Sequence, residues 1–323
     1  MKLPNAKIHL WVFNHPFSNI CDQVVFFVSS LRQHGYQVTI GLKPKKTALN
    51  VIIENLNNKS FRIVEEFCKS SNKKIAVIMT EHFDFICNEL LIYGQPLFVE
   101  NQYIPRQEIF SRLHCLLHLS PYIKSIFRLG DLPGLEGFSE NIMNGIGIYS
   151  IPFPKIEFSH KNLDKPKINF DIIFTGKKTA FRSDVLNELK KRNFILLHND
   201  KLVSRHIRNL NNHKARIIIN IPQNSNWKWL SSMRIFAGLA CKRATVSLGT
   251  NDDSIIAESC FQLDMDNFDW EENLRNLITD YRNCYKTAYE NYNKMTKKFL
   301  EKSPFPHSFF KFWEITDNLP QQR

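Results

Sequence analysis

The chain has 323 residues, of which 43% are hydrophobic and 23% are charged. That length favours two domains, the composition is typical of globular proteins, and no apolar run approaches the ~20 residues of a membrane-spanning helix. The net charge of +12 is concentrated in residues 155–245, which hold 19 basic and 6 acidic residues. Such a field attracts phosphate groups of nucleotides, nucleic acids, lipids or acidic sugars, although a solvated basic surface explains it equally well.

Cysteines and the N-terminal segment bear on location. The seven cysteines are an odd number, and no two have C-x-x-C spacing, so neither a zinc site nor a redox motif is indicated. The apolar stretch after Lys7 is too short and too polar for a signal peptide. We therefore expect a cytoplasmic protein, with peripheral membrane contact left open.

The first half of the chain alternates apolar runs with helical patterns, which favours βαβ units and a parallel sheet. The apolar runs that we interpret as strands are Lys7–Phe13, Gln37–Leu42, Asn50–Ile53, Lys74–Met79, Leu113–Leu119 and Gly147–Phe153. Helices are predicted at Ile20–Arg32, near Phe61–Ser70, and from Ser120-Pro121 onward.

Residues 155–168 are polar and basic and are typical of a linker between domains. A second alternating series follows. Its predicted strands are Asn169–Thr175, Phe194–His198, Lys214–Ile221, Ala244–Leu248 and Ser259–Leu263. Its predicted helices are Ala180–Arg192, Lys201–Asn211, one over residues 231–241, most of Trp270–Leu300, and Pro304–Leu319. Two consecutive α/β domains with a cleft between them are expected, and ligands bind at the carboxyl ends of such strands.

In the first half, two strand ends carry polar residues. Residues 80–84, TEHFD, offer Glu81 and His82 as a general base or an orienting pair, although capping or surface roles are more common for such residues. Residues 13–22, FNHPFSNICD, form the first strand-to-helix turn, where His15 and Asn19 are candidates beside the alternative of a purely structural turn.

In the second half, two segments point to phosphate. Residues 170–186, FDIIFTGKKTAFRSDVL, run from a strand into Gly176 and Lys177 and then into a helix near Arg182. Residues 231–248, SSMRIFAGLACKRATVSL, begin a helix with two serines and Arg234. Helix N-termini attract anions, a serine can cap them, and arginine binds phosphate in a bidentate manner. A core helix with one solvated arginine is the competing interpretation.

The sequence lacks the motifs that would indicate other kinds of nucleotide-binding or catalytic site. No Walker loop, G-x-G-x-x-G fingerprint, G-x-S-x-G elbow or H-E-x-x-H helix occurs. The pair Asp252-Asp253 is interpreted as two solvated loop acids rather than metal ligands. No metal site is expected, and hydrolase and metallopeptidase functions are unsupported.

The second half resembles the C-terminal domain of GT-B glycosyltransferases, in their group-1-like and spore-maturation-protein-like branch. The resemblance rests on IIFTGKKTAFRSDVL, on the strand that ends near Asn220, and on Arg234–Lys242 followed by Ala244–Leu248. The first half is similar to the matching acceptor domain, with its IEN and TEH strand ends. The resemblance implies two Rossmann-like α/β/α domains, residues 1–158 and 168–303. It also implies a C-terminal helix, 304–323, that packs back on the first domain.

The resemblance also implies a function. A nucleotide-diphosphate sugar serves as co-substrate, without cofactor or metal, and a glycan or glycolipid supplies the acceptor hydroxyl, as in bacterial surface glycan synthesis. Glu81 and His82 are then the catalytic candidates. The residues expected to bind the donor are Gly176, Lys177, Arg182, Asn220, Ser232, Arg234 and Glu258.

Two positions depart from the family pattern. The glutamate that usually contacts the donor falls at Ala237, and the family's glycine falls at Lys242. A non-catalytic protein that binds nucleotide sugars or glycans is therefore the alternative. A nucleic-acid-binding protein is a third hypothesis, but no recognised module is present, so no nucleic-acid partner is expected.

Overall fold

A computed structural model describes residues 7–15, 17–97, 105–132, 134–158, 167–199, 203–227 and 229–317. Most of the expected linker, 159–166, the start of the predicted helix at Lys201 and the last residues of the predicted C-terminal helix lie outside these ranges. The chain divides into two compact units. Unit 1 comprises residues 1–154 and 300–323, and unit 2 comprises residues 155–299.

Unit 1 contains a six-stranded parallel sheet and a small antiparallel one. Its strands are β1 Lys7–Trp11, β2 Gln37–Gly41, β3 Leu49–Ile53, β4 Ile75–Met79, β5 Phe83–Ile86, β6 Glu89–Ile92, β7 Gln95–Pro96, β8 Ile123–Leu129 and β9 Gly147–Ile151. Its first helices are α1 Phe17–Gln33, α2 Asn58–Ser71, α3 Arg106–His118 and α4 Glu136–Asn141. The large sheet has the order β2-β1-β3-β4-β8-β9. Every residue of β3 and β4 is buried, as expected where helices cover both faces of a parallel sheet.

One predicted strand of unit 1 is wrong. The run Leu113–Leu119 belongs to helix α3, and Ser120-Pro121 opens only a three-residue 3₁₀ turn. The strand at this point of the fold is β8, which follows directly. Ile109, Leu113 and Leu116 are buried on one face of α3, and a short apolar run does not by itself distinguish that helical pattern from a buried strand.

The antiparallel sheet β5-β6-β7 was not predicted. Its two turns have positive φ at both central residues: 51° and 62° at Cys87 and Asn88, and 52° and 73° at Tyr93 and Gly94. Such turns suit the twist of two-residue hairpins but favour Asn-Gly, so the dipeptides used here are weak sequence signals.

Unit 2 contains a five-stranded parallel sheet. Its strands are β10 Phe170–Phe174, β11 Leu196–His198, β12 Ala215–Asn220, β13 Thr245–Leu248 and β14 Phe261–Leu263, in the order β11-β10-β12-β13-β14. Its helices are α5 Ala180–Lys191, α6 Arg205–His213, α7 Ser232–Ala240, α8 Trp270–Thr279 and α9 Tyr281–Lys302, the last of which runs into unit 1 from residue 300. Helix α10, His307–Asp317, belongs to unit 1. The core of unit 2 joins Ile172, Ile217 and Val246 of the sheet to Leu186 and Leu274 of the helices.

Helix α10 packs on the other elements of unit 1 through aromatic rings. The ring of Phe310 lies 5.1 Å from that of Tyr36 and 5.5 Å from that of Phe127, and the ring of Phe309 lies 4.5 Å from that of Tyr149. Large aromatic contacts of this kind dominate the energetics of a packed helix. Among the described residues, no helix combines the length and the apolar character needed to cross a membrane.

Gly130, which follows β8, provides a test of this packing. Its φ is +67°, and a Cβ there would lie 2.4 Å from the ring of Phe153. We expect Gly130→Ala to lower the free energy of unfolding by ~2–4 kcal/mol, through backbone strain and overpacking together. Gly145 is the matched control, because its φ is +83° but no atom lies within 4 Å of the added Cβ. Gly145→Ala should cost only the ~1–2 kcal/mol of strain. Equal losses in calorimetry of the two variants would show that the Phe153 contact is unimportant.

Candidate functional site

The loop after β10 lies at the carboxyl end of the sheet in unit 2. Gly176 and Lys177 are exposed there, and Thr179 caps α5 by accepting the Arg182 N–H at 3.3 Å. The Thr179 hydroxyl also donates to the carbonyl of Gln223 at 2.7 Å. The loop that leaves β10 is thereby fastened to the loop that leaves β12.

Arg234, in the first turn of α7, reaches this loop. Its Nε and Nη2 donate to the carbonyl oxygen of Thr175 at 3.2 and 3.0 Å, and its Nη1 donates to Oδ1 of Asn220. A Cβ on Gly176 would lie 3.1 Å from Nη2, so a larger residue here would crowd the guanidinium. The structure therefore places three of the predicted donor residues, Gly176, Asn220 and Arg234, beside one another.

Arg182 approaches the same loop from α5. It is 4% exposed, its Nε donates to the carbonyl of Ile221 at 2.9 Å, and its Nη1 donates to the carbonyl of Lys177 at 3.0 Å. Its guanidinium lies 5.4 Å from the ring centre of Phe174, and that of Arg234 lies 5.6 Å from the same ring. Two cations thus share one aromatic ring, which orients both.

The N-terminus of α7 differs from the expectation that a serine side chain caps it. Ser231 is the N-cap residue, but its hydroxyl makes no capping bond. Its carbonyl instead accepts the N–H groups of Arg234 at 2.9 Å and Ile235 at 3.1 Å. The N–H groups of Ser232 and Met233 have no bonded acceptor within the described ranges, and such groups at a helix start bind anions.

A chain of polar contacts continues from Asn220 along this edge of the sheet. Its Nδ2 donates to Oγ of Ser247 at 2.7 Å, and Oγ1 of Thr250 lies 2.8 Å from that hydroxyl and 2.9 Å from Oε1 of Gln262. Asp252 ends the chain, because its backbone N–H donates to the same Gln262 oxygen. These contacts hold the ends of β12, β13 and β14 in one arrangement.

Asp252 corrects the expectation that both loop acids are solvated. It is 6% exposed, and its carboxylate accepts the backbone N–H groups of Leu230 and Ser254. Asp253 is exposed. Asp252 therefore orders the segment that leads into α7, a role that the adjacent pair of acids did not indicate.

Glu258 and Ala237 lie apart from this cluster. The Glu258 carboxylate pairs with Nζ of Lys298 on α9 at 3.2 Å, and its carbonyl accepts from Asn291. Ala237 is 6% exposed on α7. Lys242, where the family has glycine, adopts a left-handed φ of 56°, so the backbone keeps the glycine-like conformation without the glycine.

His198 is a neighbour of the loop that the sequence did not single out. It ends β11, its Nε2 lies 3.3 Å from the carbonyl of Gly176, and its ring stacks on Phe174 at 5.4 Å. Its position at the end of a predicted strand was the available signal.

In unit 1, Glu81 joins a buried ionic cluster. Arg112 of α3 donates Nε and Nη2 to the Glu54 carboxylate at 2.7 Å each, and Nη2 lies 3.2 Å from Oε1 of Glu81. The Thr80 hydroxyl donates to Glu54 at 3.1 Å, and that of Tyr93 donates to Oε2 of Glu81 at 2.5 Å. Both carboxylate oxygens of Glu81 thus accept hydrogen bonds, and the Arg112 guanidinium donates to two carboxylates.

Burial and charge act in opposite directions in this cluster. Burial lowers the pKa of Arg112, but the charges of Glu54 and Glu81 outweigh it and raise that pKa above its ordinary value. Burial raises the pKa of Glu54, and the guanidinium opposes that shift. The arginine therefore stays charged, and it is the group that keeps both carboxylates together.

His82 is placed differently from a general base. Its ring stacks on Tyr93 at 4.8 Å, and burial lowers its pKa to about 3. It is therefore neutral and weakly basic near neutral pH. His15 also lies at this edge: Asn55 donates to its Nδ1 at 3.2 Å, so its Nε2 donates to the Glu54 carbonyl at 3.0 Å, and burial lowers its pKa.

Glu54, Arg112 and Tyr93 were not among the predicted site residues. Glu54 follows β3 just as Glu81 follows β4, so its position at a strand end was a usable signal. Arg112 lies in the helix next to a run interpreted as a strand, and Tyr93 lies in the unpredicted antiparallel sheet. Their roles depended on elements that the sequence pattern did not reveal.

The chain has two α/β units, each built on a parallel sheet. Basic residues lie at the carboxyl edge of the second sheet, and the C-terminal helix belongs to the first unit. These features are those of the GT-B fold class and confirm that prediction. Among solved structures, the chain is similar to T4 phage BGT in complex with UDP-glucose, with 15% identity, a TM-score of 0.51, and coverage of 97% of this chain and 100% of that one. It is similar to the DNA modifying enzyme beta-glucosyltransferase, with 12% identity, a TM-score of 0.51, and coverage of 97% and 100%.

A further similar structure is an alpha-glucosyltransferase in complex with UDP and a 13-mer DNA containing an HMU base. The identity is 10%, the TM-score is 0.50, and 96% of this chain and 99% of that one are covered. No protein-family model and no curated protein sequence matches the chain. At these identities the likeness establishes the fold.

The ionic cluster of unit 1 yields a stability prediction. Arg112→Met leaves the Glu54 and Glu81 carboxylates buried beside each other, and we expect the free energy of unfolding to fall by ~3–5 kcal/mol at pH 7. Lys69→Met removes a surface ion pair with Glu65, whose partners lie 2.8 Å apart, and is the matched control. It should have no measurable effect. Urea unfolding of both variants measures these free energies. Equal small losses of unfolding free energy would mean that the buried ionic cluster is not essential to the stability of unit 1.

Proposed function

We propose that the chain is a glycosyltransferase that moves a sugar from a nucleotide-diphosphate donor to an acceptor hydroxyl. The observation that carries this proposal is the position of Arg234. Its guanidinium is held by the Thr175 carbonyl and Asn220 at the carboxyl edge of a parallel sheet, beside the N-terminus of a nine-residue helix. Solved structures with the same fold are complexes with UDP-glucose or UDP, which supports a donor of this class.

In this proposal the diphosphate lies against Arg234, Lys177 and the backbone N–H groups of Ser232 and Met233. As the bond between the sugar C1 and the phosphate oxygen breaks, the leaving diphosphate gains negative charge. Preoriented cations and N–H groups stabilise that charge more than they stabilise the bound donor, which is how electrostatic catalysis lowers a barrier. These groups supply the charge without an obligatory metal ion, and the reaction needs only the nucleotide sugar and the acceptor.

On the acceptor side we propose Glu81 as the base. A new bond forms between the acceptor oxygen and C1, and the hydroxyl proton passes to the Glu81 carboxylate. Arg112 and Tyr93 hold that carboxylate in one orientation. His82 then orients the acceptor hydroxyl and does not accept its proton, because burial lowers the pKa of His82 to about 3. A glycan or glycolipid of the bacterial surface, reached by peripheral membrane contact, is the acceptor class that we propose first.

The alternative is a protein that binds nucleotide sugars without transferring them. Ala237 offers no carboxylate, and Glu258 pairs with Lys298. Donor binding and donor turnover must therefore be measured separately.

The donor site is tested by thermal shift with UDP-, GDP-, CMP- and dTDP-sugars. We expect one nucleotide to stabilise the chain, and Arg234→Ala to weaken its binding by ~10–100-fold, because a charge-assisted contact is lost. Arg282→Ala, at an exposed arginine of α9, is the matched control and should bind normally. If no nucleotide raises the melting temperature of the folded protein, the donor site is wrong. Binding without sugar transfer would favour the non-catalytic alternative.

DNA is a second candidate acceptor. The observations that favour it are the +13 balance of residues 155–245 and the two similar structures described as DNA modifying or DNA-bound. A DNA acceptor would contradict the expectation from the sequence that the chain has no nucleic-acid partner. Labelled-sugar transfer to duplex DNA containing a hydroxymethylated base, compared with transfer to lipid-linked and free glycans, separates the two acceptors. DNA binding should weaken steeply with salt. Transfer to glycans together with a flat salt response would eliminate DNA.

A further inference from the structure

Helix α3 carries two histidines that the proposed function does not use. His114 and His118 are four residues apart, and both are exposed. Their Nε2 atoms lie 3.1 Å apart, and their ring centres lie 4.4 Å apart at an angle of 64°. Because residues at i and i+4 share one face of a helix, the backbone itself holds the two rings together.

Neighbouring aromatic rings support both imidazoles. Phe110 stacks on His114 with the ring centres 6.4 Å apart, and Phe61 of α2 meets the ring of His118 at 5.9 Å and 64°. These contacts limit the rotamers of the two side chains. Less conformational entropy is then lost when a third group binds both nitrogens.

We propose that His114 and His118 chelate a divalent transition-metal ion through their Nε2 atoms. In the neutral pair, one Nε2–H donates to the other Nε2. In the chelate, both Nε2 lone pairs bind the ion and each ring carries its proton on Nδ1, so no net proton is released.

The geometry indicates which metals fit. Two nitrogens 3.1 Å apart that each lie about 2.1 Å from one ion subtend an angle of about 95° there. That angle is close to the roughly 90° of square-planar and octahedral coordination, which suits Cu²⁺ and Ni²⁺ better than a tetrahedral Zn²⁺ site. Mg²⁺ prefers oxygen ligands and should not bind.

The site is open to further ligands. Within the described ranges, no group of three or more His, Cys, Asp or Glu side chains is placed to hold a metal, so water or a small ligand completes the coordination. His114 also lines a cavity of about 620 Å³, together with Phe110 and Ser111. An ion on these histidines therefore borders a space that admits a small molecule.

The test uses the untagged full-length chain and Ni²⁺, Cu²⁺, Zn²⁺ or Mg²⁺ alone. We expect Ni²⁺ at ~1 mM to raise the melting temperature by about 2–5 °C, Zn²⁺ to act more weakly and Mg²⁺ to have no effect. His114→Ala and His118→Ala should each weaken binding by at least ~10-fold. His206→Ala, at an exposed histidine of α6, is the matched control and should retain the shift.

Electron paramagnetic resonance of bound Cu²⁺ gives a second measurement. Coupling to two imidazole nitrogens is expected in the unmodified chain, and coupling to one in each of the His114 and His118 variants. The proposal is overturned if neither Ni²⁺ nor Cu²⁺ shifts the melting temperature. It is also overturned if the shift survives in both histidine variants, or if the unmodified chain shows coupling to a single nitrogen.

Discussion

The contact between Arg234 and the Thr175 carbonyl is the interaction on which the candidate donor site depends. It joins the start of α7 to the end of β10, and Gly176 leaves room for it. The carbonyl and amide oxygens are neutral, so they orient the guanidinium without cancelling its charge. A carboxylate would cancel that charge. The same arginine is therefore rigid and still able to attract a diphosphate.

Helices place one arginine in unit 1 and two in unit 2 at the carboxyl edge of the sheet, but the partners of these arginines differ. In unit 1 Arg112 binds Glu54 and Glu81, so its charge is used to hold carboxylates in a buried position. In unit 2 Arg182 and Arg234 bind backbone carbonyls and stack on Phe174. The first arrangement fixes the orientation of two buried carboxylates, and the second leaves a guanidinium that can attract an anion.

Much of the fold could be predicted, because buried parallel strands are continuous apolar runs. The runs at Lys74–Met79 and Asn169–Thr175 lie within a residue of β4 and β10 at each end. The prediction was wrong at Leu113–Leu119, where one buried face of a helix resembles a strand. It also missed β5-β6-β7, whose turns lack the usual Asn-Gly signal. Within the candidate site, Gly176 was predicted because it follows a strand, Arg234 because it begins a helix, and Asn220 from the family resemblance.

The sequence by itself determined the α/β class, the basic character of residues 155–245 and the strand ends where polar residues collect, because periodicity and charge are local properties of the chain. Only the tertiary structure decided the partners. It placed Arg112 between two glutamates, brought Tyr93 to Glu81, buried Asp252 and directed Glu258 to Lys298. Those pairings join residues up to 58 positions apart, and their energies depend on distance and burial, which exist only once the chain has folded.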